Sequence, residues 1–503
     1  MNRTEKSIRN IRFGMGLQIL TVLLAFINRT ILIRTVGIEL VGLGGLFNEV
    51  IGALSLAELG IGSSIAYSLY APLARGDERK TAQLMELYRK AYHLIAGLTF
   101  LIGLLLLPFV HLLVRRVDIP LSYIRIVYLL YLIQLSSSYL FSYKTALLNV
   151  DQKNYIWSGV FGGVKIAGTL LQILLVLLSR NYLFYVGGLI FISLTANIIC
   201  ARIADRDYPC LSMKTEPLSK TEKKKIFSDI KNIFIKSLSG KITGSTDNIL
   251  ISTLISTAMV GYYSNYNMVF SVVRNFVYLL QSGLVNSVGN MMATESDRHS
   301  EEVFRRLSYI FNFFGAVFAA GIFACMEPFI RLWLGPEFLL PREALFAMSL
   351  AVYLEAAVRP LWMTMEVSGL FAHDKNAAIL GSAVNLIVSI CLGLKIGMAG
   401  IFIGTCLTYL LQAVLKAYYL YRLRWGKSPA VFNGRFLTAF AGQVILLLAA
   451  GAAAGCLRGL HPLVSFIGGG LISTALVSAF YYLLTGRTED FEYMIGLIKR
   501  RKR

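Results

Sequence analysis

Val41-Gly42-Leu43-Gly44-Gly45-Leu46-Phe47-Asn48-Glu49-Val50 returns 219 residues later as Val260-Gly261-Tyr262-Tyr263-Ser264-Asn265-Tyr266-Asn267-Met268-Val269. The offset persists beyond this block. Glu86-Leu87-Tyr88-Arg89-Lys90 resembles Glu302-Val303-Phe304-Arg305-Arg306 at 216 residues, and Pro108-Phe109-Val110-His111-Leu112 resembles Pro328-Phe329-Ile330-Arg331-Leu332 at 220. A near-constant offset through three blocks marks an internal duplication.

What is duplicated is set by hydropathy. Of the 503 residues, 56% are hydrophobic and 15% charged, more apolar surface than one soluble core can hide. Apolar windows of about 20 residues recur along nearly the whole chain, and about fourteen are expected to span a bilayer. The first runs near Phe13 to Thr35, the second Val41 to Ser64, the seventh Ile233 to Ile255, and the last ends near Leu484. The expected fold is an all-α membrane protein with two pseudo-symmetric six-helix lobes and two C-terminal helices. Residues 1–203 would form the first lobe, 204–232 a basic linker, 233–421 the second lobe, and 422–503 spans 13 and 14 with a basic tail. Six spans precede the second copy, so both copies keep one orientation. Parallel repeats of that kind bring substrate to the midplane between them.

The net charge of +21 does not point to nucleic acid. Lys and Arg alternate between loop sets, with about 32 on the expected cytoplasmic side, about 6 outside and about 11 within spans. Both termini are therefore expected in the cytoplasm. Arg3, Lys6, Arg9 and Arg12 lead into a first span without a small-residue cleavage site, so that span is expected to stay. The six cysteines are scattered and read as small core residues. In the linker, Ser219 and Glu222 have capping-box spacing before an amphipathic run from Ile226 to Ile235. That linker is expected to be a solvated tether.

Ionisable residues in hydrocarbon cost on the order of 3 kcal/mol and normally face a cavity or a partner. Arg34, Arg125, Lys144, Arg331 and Lys416 lie near span ends, where a long side chain reaches water, and are set aside. Arg29, Lys165, Lys241, Arg274 and Arg359 remain as cavity cations. Asp247, Glu49 and Glu58 are gating or coupling candidates. Asn28-Arg29-Thr30-Ile31-Leu32-Ile33 aligns with Thr246-Asp247-Asn248-Ile249-Leu250-Ile251, which predicts that Arg29 and Asp247 pair in one state and separate in another. Glu355 and Arg359, one turn apart, are expected to pair on their own helix.

The chain lacks a G-x-x-x-x-G-K-[ST] P-loop, H-E-x-x-H and G-x-S-x-G, and its five histidines show no metal spacing. No cofactor and no metal is expected. A membrane-bound sugar polymerase or ligase would need a sizeable outer loop, and every outer loop here is expected to be about ten residues or fewer, so an enzyme is disfavoured.

The duplicated six-span lobe, two extra C-terminal spans, and Ser245-Thr246-Asp247-Asn248-Ile249-Leu250-Ile251 followed by Val260-Gly261-Tyr262-Tyr263-Ser264-Asn265-Tyr266 resemble the polysaccharide repeat-unit flippases. These belong to the multidrug/oligosaccharidyl-lipid/polysaccharide exporter superfamily. The resemblance implies a MATE-like fold with a V-shaped cavity and alternating access. It further implies an undecaprenyl-pyrophosphate-linked oligosaccharide as cargo, a bacterial cytoplasmic membrane, contact with membrane lipids, and a polysaccharide polymerase and glycosyltransferases as partners. Relatives place basic residues on the first, second, seventh and eighth spans; Arg29, Lys241 and Arg274 match in span and character, whereas the second span here carries Glu49 and Glu58. Independently of the resemblance, a pyrophosphate needs cationic partners in a dry cavity, and Arg or Lys supplies them. A lipid II flippase and a multidrug or cation exporter are the alternatives.

Overall fold

The computed structural model describes residues 3–55, 61–151, 153–213, 215–219, 222, 224, 226 and 246–500. Among these residues there are helices and no strands. By contact the chain divides into Met1–Gly261 and Tyr262–Arg503, called unit 1 and unit 2 below.

Unit 1 contains α1 (Arg3–Val36), α2 (Ile38–Leu54), α3 (Ile61–Arg75), α4 (Glu78–Leu106), α5 (Val110–Leu113), α6 (Leu121–Val150), α7 (Asn154–Ser179), α8 (Tyr182–Asp207) and α9 (Asp247–Leu254). Helix α10 (Thr257–Thr294) begins in unit 1 and continues into unit 2. Unit 2 then has α11 (Asp297–Trp333), α12 (Arg342–Val367), α13 (Phe371–Ile396), α14 (Met398–Arg424), α15 (Ala430–Cys456), α16 (Pro462–Thr485) and α17 (Glu489–Arg500).

Eleven of these helices are long and apolar enough to cross a membrane, and they coincide with expected spans 3 to 6 and 8 to 14. The first expected span lies within α1. Of the second, α2 covers the part up to Leu54, with the Ser55 hydroxyl donating to the Gly52 carbonyl at 2.6 Å, and α3 begins at Ile61; residues 56–60 between them lie outside the described residues. Most of the seventh, Lys241 included, lies outside the described residues, as do Glu58 and most of the Ile226-to-Ile235 run.

Helix starts follow local chemistry. Asp77 accepts from the Lys80 N–H at 2.9 Å and Asn181 from the Leu183 N–H at 2.9 Å, satisfying donors the first turn leaves open. The capping box forms: the Ser219 hydroxyl donates to Glu222 Oε2 at 2.9 Å, while the Glu222 N–H donates back to Ser219 Oγ at 3.2 Å. Lys80 also pairs with Glu222, and the hydrogen bonds from Lys80 and Ser219 hold that carboxyl below its ordinary range. The linker is not simply a solvated tether. Leu218 and Ile226 are buried in one apolar cluster with Leu84, Met85 and Tyr88, so burial of these two side chains ties the linker to α4.

Glycines set the closest approaches. A Cβ at Gly42 would stand 2.1 Å from the Thr257 carbonyl oxygen, and one at its duplicate Gly261 would stand 2.5 Å from the Ile38 carbonyl oxygen. The two glycines thus meet at one crossing inside unit 1, α2 against the start of α10, as small residues allow in membranes. In unit 2, Gly397 turns α13 into α14 at φ +63, and a Cβ at Gly400 would lie 2.3 Å from the Leu392 backbone. That hairpin packs on α12, whose apolar window is 83% buried and forms the centre of the unit.

Candidate functional site

In unit 1, Arg29 projects from α1 and is half-buried. Its neighbour Asn28 donates to Gln172 Oε1 on α7 at 3.1 Å, and Gln172 Nε2 donates onward to the Tyr185 carbonyl at 2.5 Å, which fixes α1 against α7 and α8. The Arg29 guanidinium interacts electrostatically with the hydroxyls of Tyr131 on α6 and of Tyr182 and Tyr185 on α8. Tyr131 and Tyr182 share a hydroxyl–hydroxyl hydrogen bond of 3.0 Å, and the rings of Tyr182 and Tyr185 stack at 5.4 Å. Gly44 on α2 closes this cradle: a Cβ there would fall 2.2 Å from the Tyr182 hydroxyl and 2.7 Å from that of Tyr131. Hydroxyl oxygens can turn lone pairs toward a cation, which suits a polar group that cannot reach water.

Lys165, on α7, is half-buried with its ammonium 5.9 Å from the Phe161 ring, and no carboxylate lies within ion-pair reach of it among the described residues. Glu49 and Asp247 belong to the α2–α9 contact. Asn248 Nδ2 approaches Glu49 Oε1 at 3.4 Å and the Gly45 carbonyl at 3.5 Å, both long hydrogen bonds. Asp247 opens α9, where a carboxylate complements the helix dipole. Helix α9 is anchored further by the Ser252 hydroxyl, which donates to the Leu113 carbonyl at 2.7 Å.

In unit 2, Arg274 donates to Asn267 two turns earlier on α10. Arg359 on α12 pairs with Glu355 as its spacing predicts, and donates to Gln281 on α10 at 3.0 Å. Its guanidinium also stands 5.1 Å from the Trp362 ring centroid. Lys416 was set aside as a residue that reaches water, and the structure corrects this. Its side chain is 3% exposed, ion-paired with Asp374 on α13, and its ammonium stands 5.6 Å from the Trp362 ring centroid. The ammonium finds its carboxylate on the neighbouring helix of the α13–α14 hairpin instead of in water. Trp362 Nε1 donates to Gln412 on α14 at 3.1 Å, so one indole on α12 neighbours two cations, Arg359 on its own helix and Lys416 on α14.

Sequence reasoning centred on formal charges and missed the tyrosine cradle, Trp362 and the Asp374–Lys416 pair. Among the described residues no three His, Cys, Asp or Glu side chains come together to hold a metal ion.

Residues 7–283, more than half of the chain, match the family described as polysaccharide biosynthesis protein. The chain belongs to this family. As a polysaccharide biosynthesis protein it falls in the multidrug/oligosaccharidyl-lipid/polysaccharide exporter superfamily, and its helices make it a multi-pass membrane protein. The fold agrees. A solved structure of the lipid II flippase MurJ in an inward closed conformation matches with a TM-score of 0.65 at 13% identity, covering 93% of this chain and 98% of that one. An inward-facing multidrug resistance MATE family transporter matches with a TM-score of 0.62 at 14% identity, covering 81% and 96%. No curated protein sequence matches. At these identities the likeness speaks for the fold of this polysaccharide biosynthesis protein, while the residues above carry its chemistry.

Proposed function

We propose that this protein translocates undecaprenyl-pyrophosphate-linked oligosaccharide repeat units from the cytoplasmic to the outer leaflet of a bacterial cytoplasmic membrane by alternating access. The observation that carries the reading is Arg29, a half-buried guanidinium at the expected depth of the first span, within electrostatic range of Tyr131, Tyr182 and Tyr185. An oxyanion crossing a low-dielectric path needs such fixed donors, and Arg presents them in a fork that matches phosphate. Arg274 and Arg359 extend the positive set within unit 2, and Lys165 within unit 1. Lys241 joins them by position in the sequence. Glu49, Glu58 and Asp247 are the candidates for gating or ion coupling, with the Arg29–Asp247 charge swap as the test of pairing. The chain is read as a transporter rather than an enzyme, with both termini cytoplasmic and polymer-assembling enzymes acting on its product.

The likeness to MurJ favours one second reading, a lipid II flippase. Deletion separates the two. Loss of surface polysaccharide with accumulation of lipid-linked repeat units supports the first reading; lysis with accumulated lipid II supports the second; normal levels of both refute transport of either. Complementation by Arg29→Gln should fall at least tenfold below the parent protein, since a charge-assisted contact worth about 1.5–3 kcal/mol is lost.

A further inference from the structure

A second cationic site stands in unit 2, apart from the cations assigned to the transport reading, and it includes Arg331, set aside in the sequence as a residue near a span end. Glu327 and Arg331 lie near the end of α11, Arg342 is the first residue of α12, and Arg458 sits in the turn between α15 and α16. Together they line a pocket of about 140 Å³. One Glu327 oxygen pairs with Arg331 at 3.0 Å and the other with Arg458 at 2.7 Å. Arg342 donates to the Gly451 carbonyl at 2.5 Å and packs its guanidinium 5.7 Å from the Phe323 ring centroid. Three permanent positive charges therefore face one carboxylate, leaving an excess of two.

The excess is not explained by stability. Arg331 and Arg458 keep 44% and 48% of their side-chain surface exposed, and pairs of that kind add at most about 1 kcal/mol each. One such pair would staple α11 to the turn; a third arginine aimed into the same pocket adds repulsion. Nor is it explained by chance. Arg331, Arg342, Lys395 and Arg458 are the basic residues at the end of unit 2 opposite α17, and all but Lys395 meet here. On the topology expected from the loop charges this is the outer face, where basic residues are scarce.

We infer that this pocket binds a phosphate-bearing anion. Guanidinium forks match phosphate oxygens bidentately, each arginine retains donors after its present contact, and a doubly charged oxyanion would cancel the excess. The volume is roughly ten times what a single water requires, enough for a phosphate or pyrophosphate group but not for an oligosaccharide. Glu327 then acts as a placeholder that orients two arginines and competes with the ligand. The inference uses unit 2 alone and stands whether or not the transport reading holds.

The test uses the full chain in nanodiscs of neutral phosphatidylcholine, titrated with inorganic pyrophosphate and followed by calorimetry and thermal unfolding. Binding should weaken at least tenfold in the Arg342→Gln/Arg458→Gln double variant and strengthen severalfold in Glu327→Gln. A structural ion-pair network predicts the opposite pattern for Glu327→Gln, with lower stability and no gain in affinity, so that result overturns the proposal. Equal pyrophosphate binding by the parent and the double variant overturns it too, as does failure of the parent to bind. Exchanging part of the lipid for phosphatidic acid distinguishes the sources. Competition with pyrophosphate that disappears in the double variant assigns the pocket to a lipid phosphate, and unchanged pyrophosphate binding assigns it to a free anion.

Discussion

Gly42 and Gly261 occupy matching places in the duplicated block and perform matching tasks, whereas Glu49 and Met268, seven residues further on in each copy, do not. Each glycine brings a helix backbone against the other's segment, and each is followed by a buried aromatic ring, Phe47 in one copy and Tyr266 in the other. Polar chemistry diverged instead. Glu49 meets Asn248 where the other copy has an apolar side chain, and Arg274 binds Asn267 where the first copy has Ser55 capping its own helix. Packing contacts at a crossing fail if either side changes, so both copies keep them. A charge that faces cargo or a partner can be altered in one copy alone, and asymmetry between copies is therefore a pointer to function.

The crossing offers the largest effect. Gly42→Ala and Gly261→Ala each press a methyl group against a carbonyl oxygen and should destabilise the protein by about 1–3 kcal/mol, read as a lower unfolding temperature in detergent. Equal penalties would support the equivalence of the two positions. Tolerance at Gly261 with collapse at Gly42 would break it.

Much of that equivalence was legible in the sequence, because spans reveal themselves by apolar length and a duplication by constant offset. Eleven helices fell where hydropathy put them, and the Glu355–Arg359 pair followed from helical spacing. The Arg29 cradle was less legible. Tyr131, Tyr182 and Tyr185 pass for apolar residues in a hydropathy window, and their convergence depends on how α6 and α8 pack. Tyrosines deep inside spans were the available signal. Lys416 failed for a different reason: its distance to the span end was right, but its partner came from the preceding helix. Asp374 and Lys416 are roughly equidistant from the Gly397 turn, so folding the hairpin on paper would have brought them together.

A smaller effect sharpens the polar half of the comparison. Arg274→Ser gives the second copy the residue found in the first, removing the contact to Asn267 and one in-span cation. If that cation serves an anionic headgroup, flipping in reconstituted vesicles should fall about tenfold, the loss of one charged hydrogen bond near 1.5 kcal/mol. Unchanged flipping would assign Arg274 to structure and leave Arg29 and Arg359 as the cations to pursue.

The smallest effect comes from the block that looks most alike. Glu86 pairs with Lys90 at 3.3 Å in α4, and Glu302 pairs with Arg306 in α11, while Tyr88 and Phe304 are both fully buried on the opposite side of those helices. Arg89 and Arg305 are equivalent in sequence, yet Arg89 reaches only Glu86 among the ion pairs of the described residues. Arg305 instead holds α17 through Asp490 at 3.1 Å and Glu489 at 3.4 Å. Other anchors of α17 among the described residues are Met494, buried in the unit, Phe491, whose ring meets that of Tyr482 at 6.0 Å, and Tyr493, whose ring lies 4.6 Å from the Arg306 guanidinium. Arg89→Ala should therefore shift global stability by about 0.3–0.5 kcal/mol and nothing else. Arg305→Ala should cost about 1 kcal/mol at most but raise amide hydrogen exchange selectively across Glu489–Arg500, because the lost contacts are those that fix this helix rather than the bundle. Equal exchange in the two variants would mean that the apolar face of α17 alone secures it, and the difference between the copies would then lie in α17 itself and not in the arginine that reaches it.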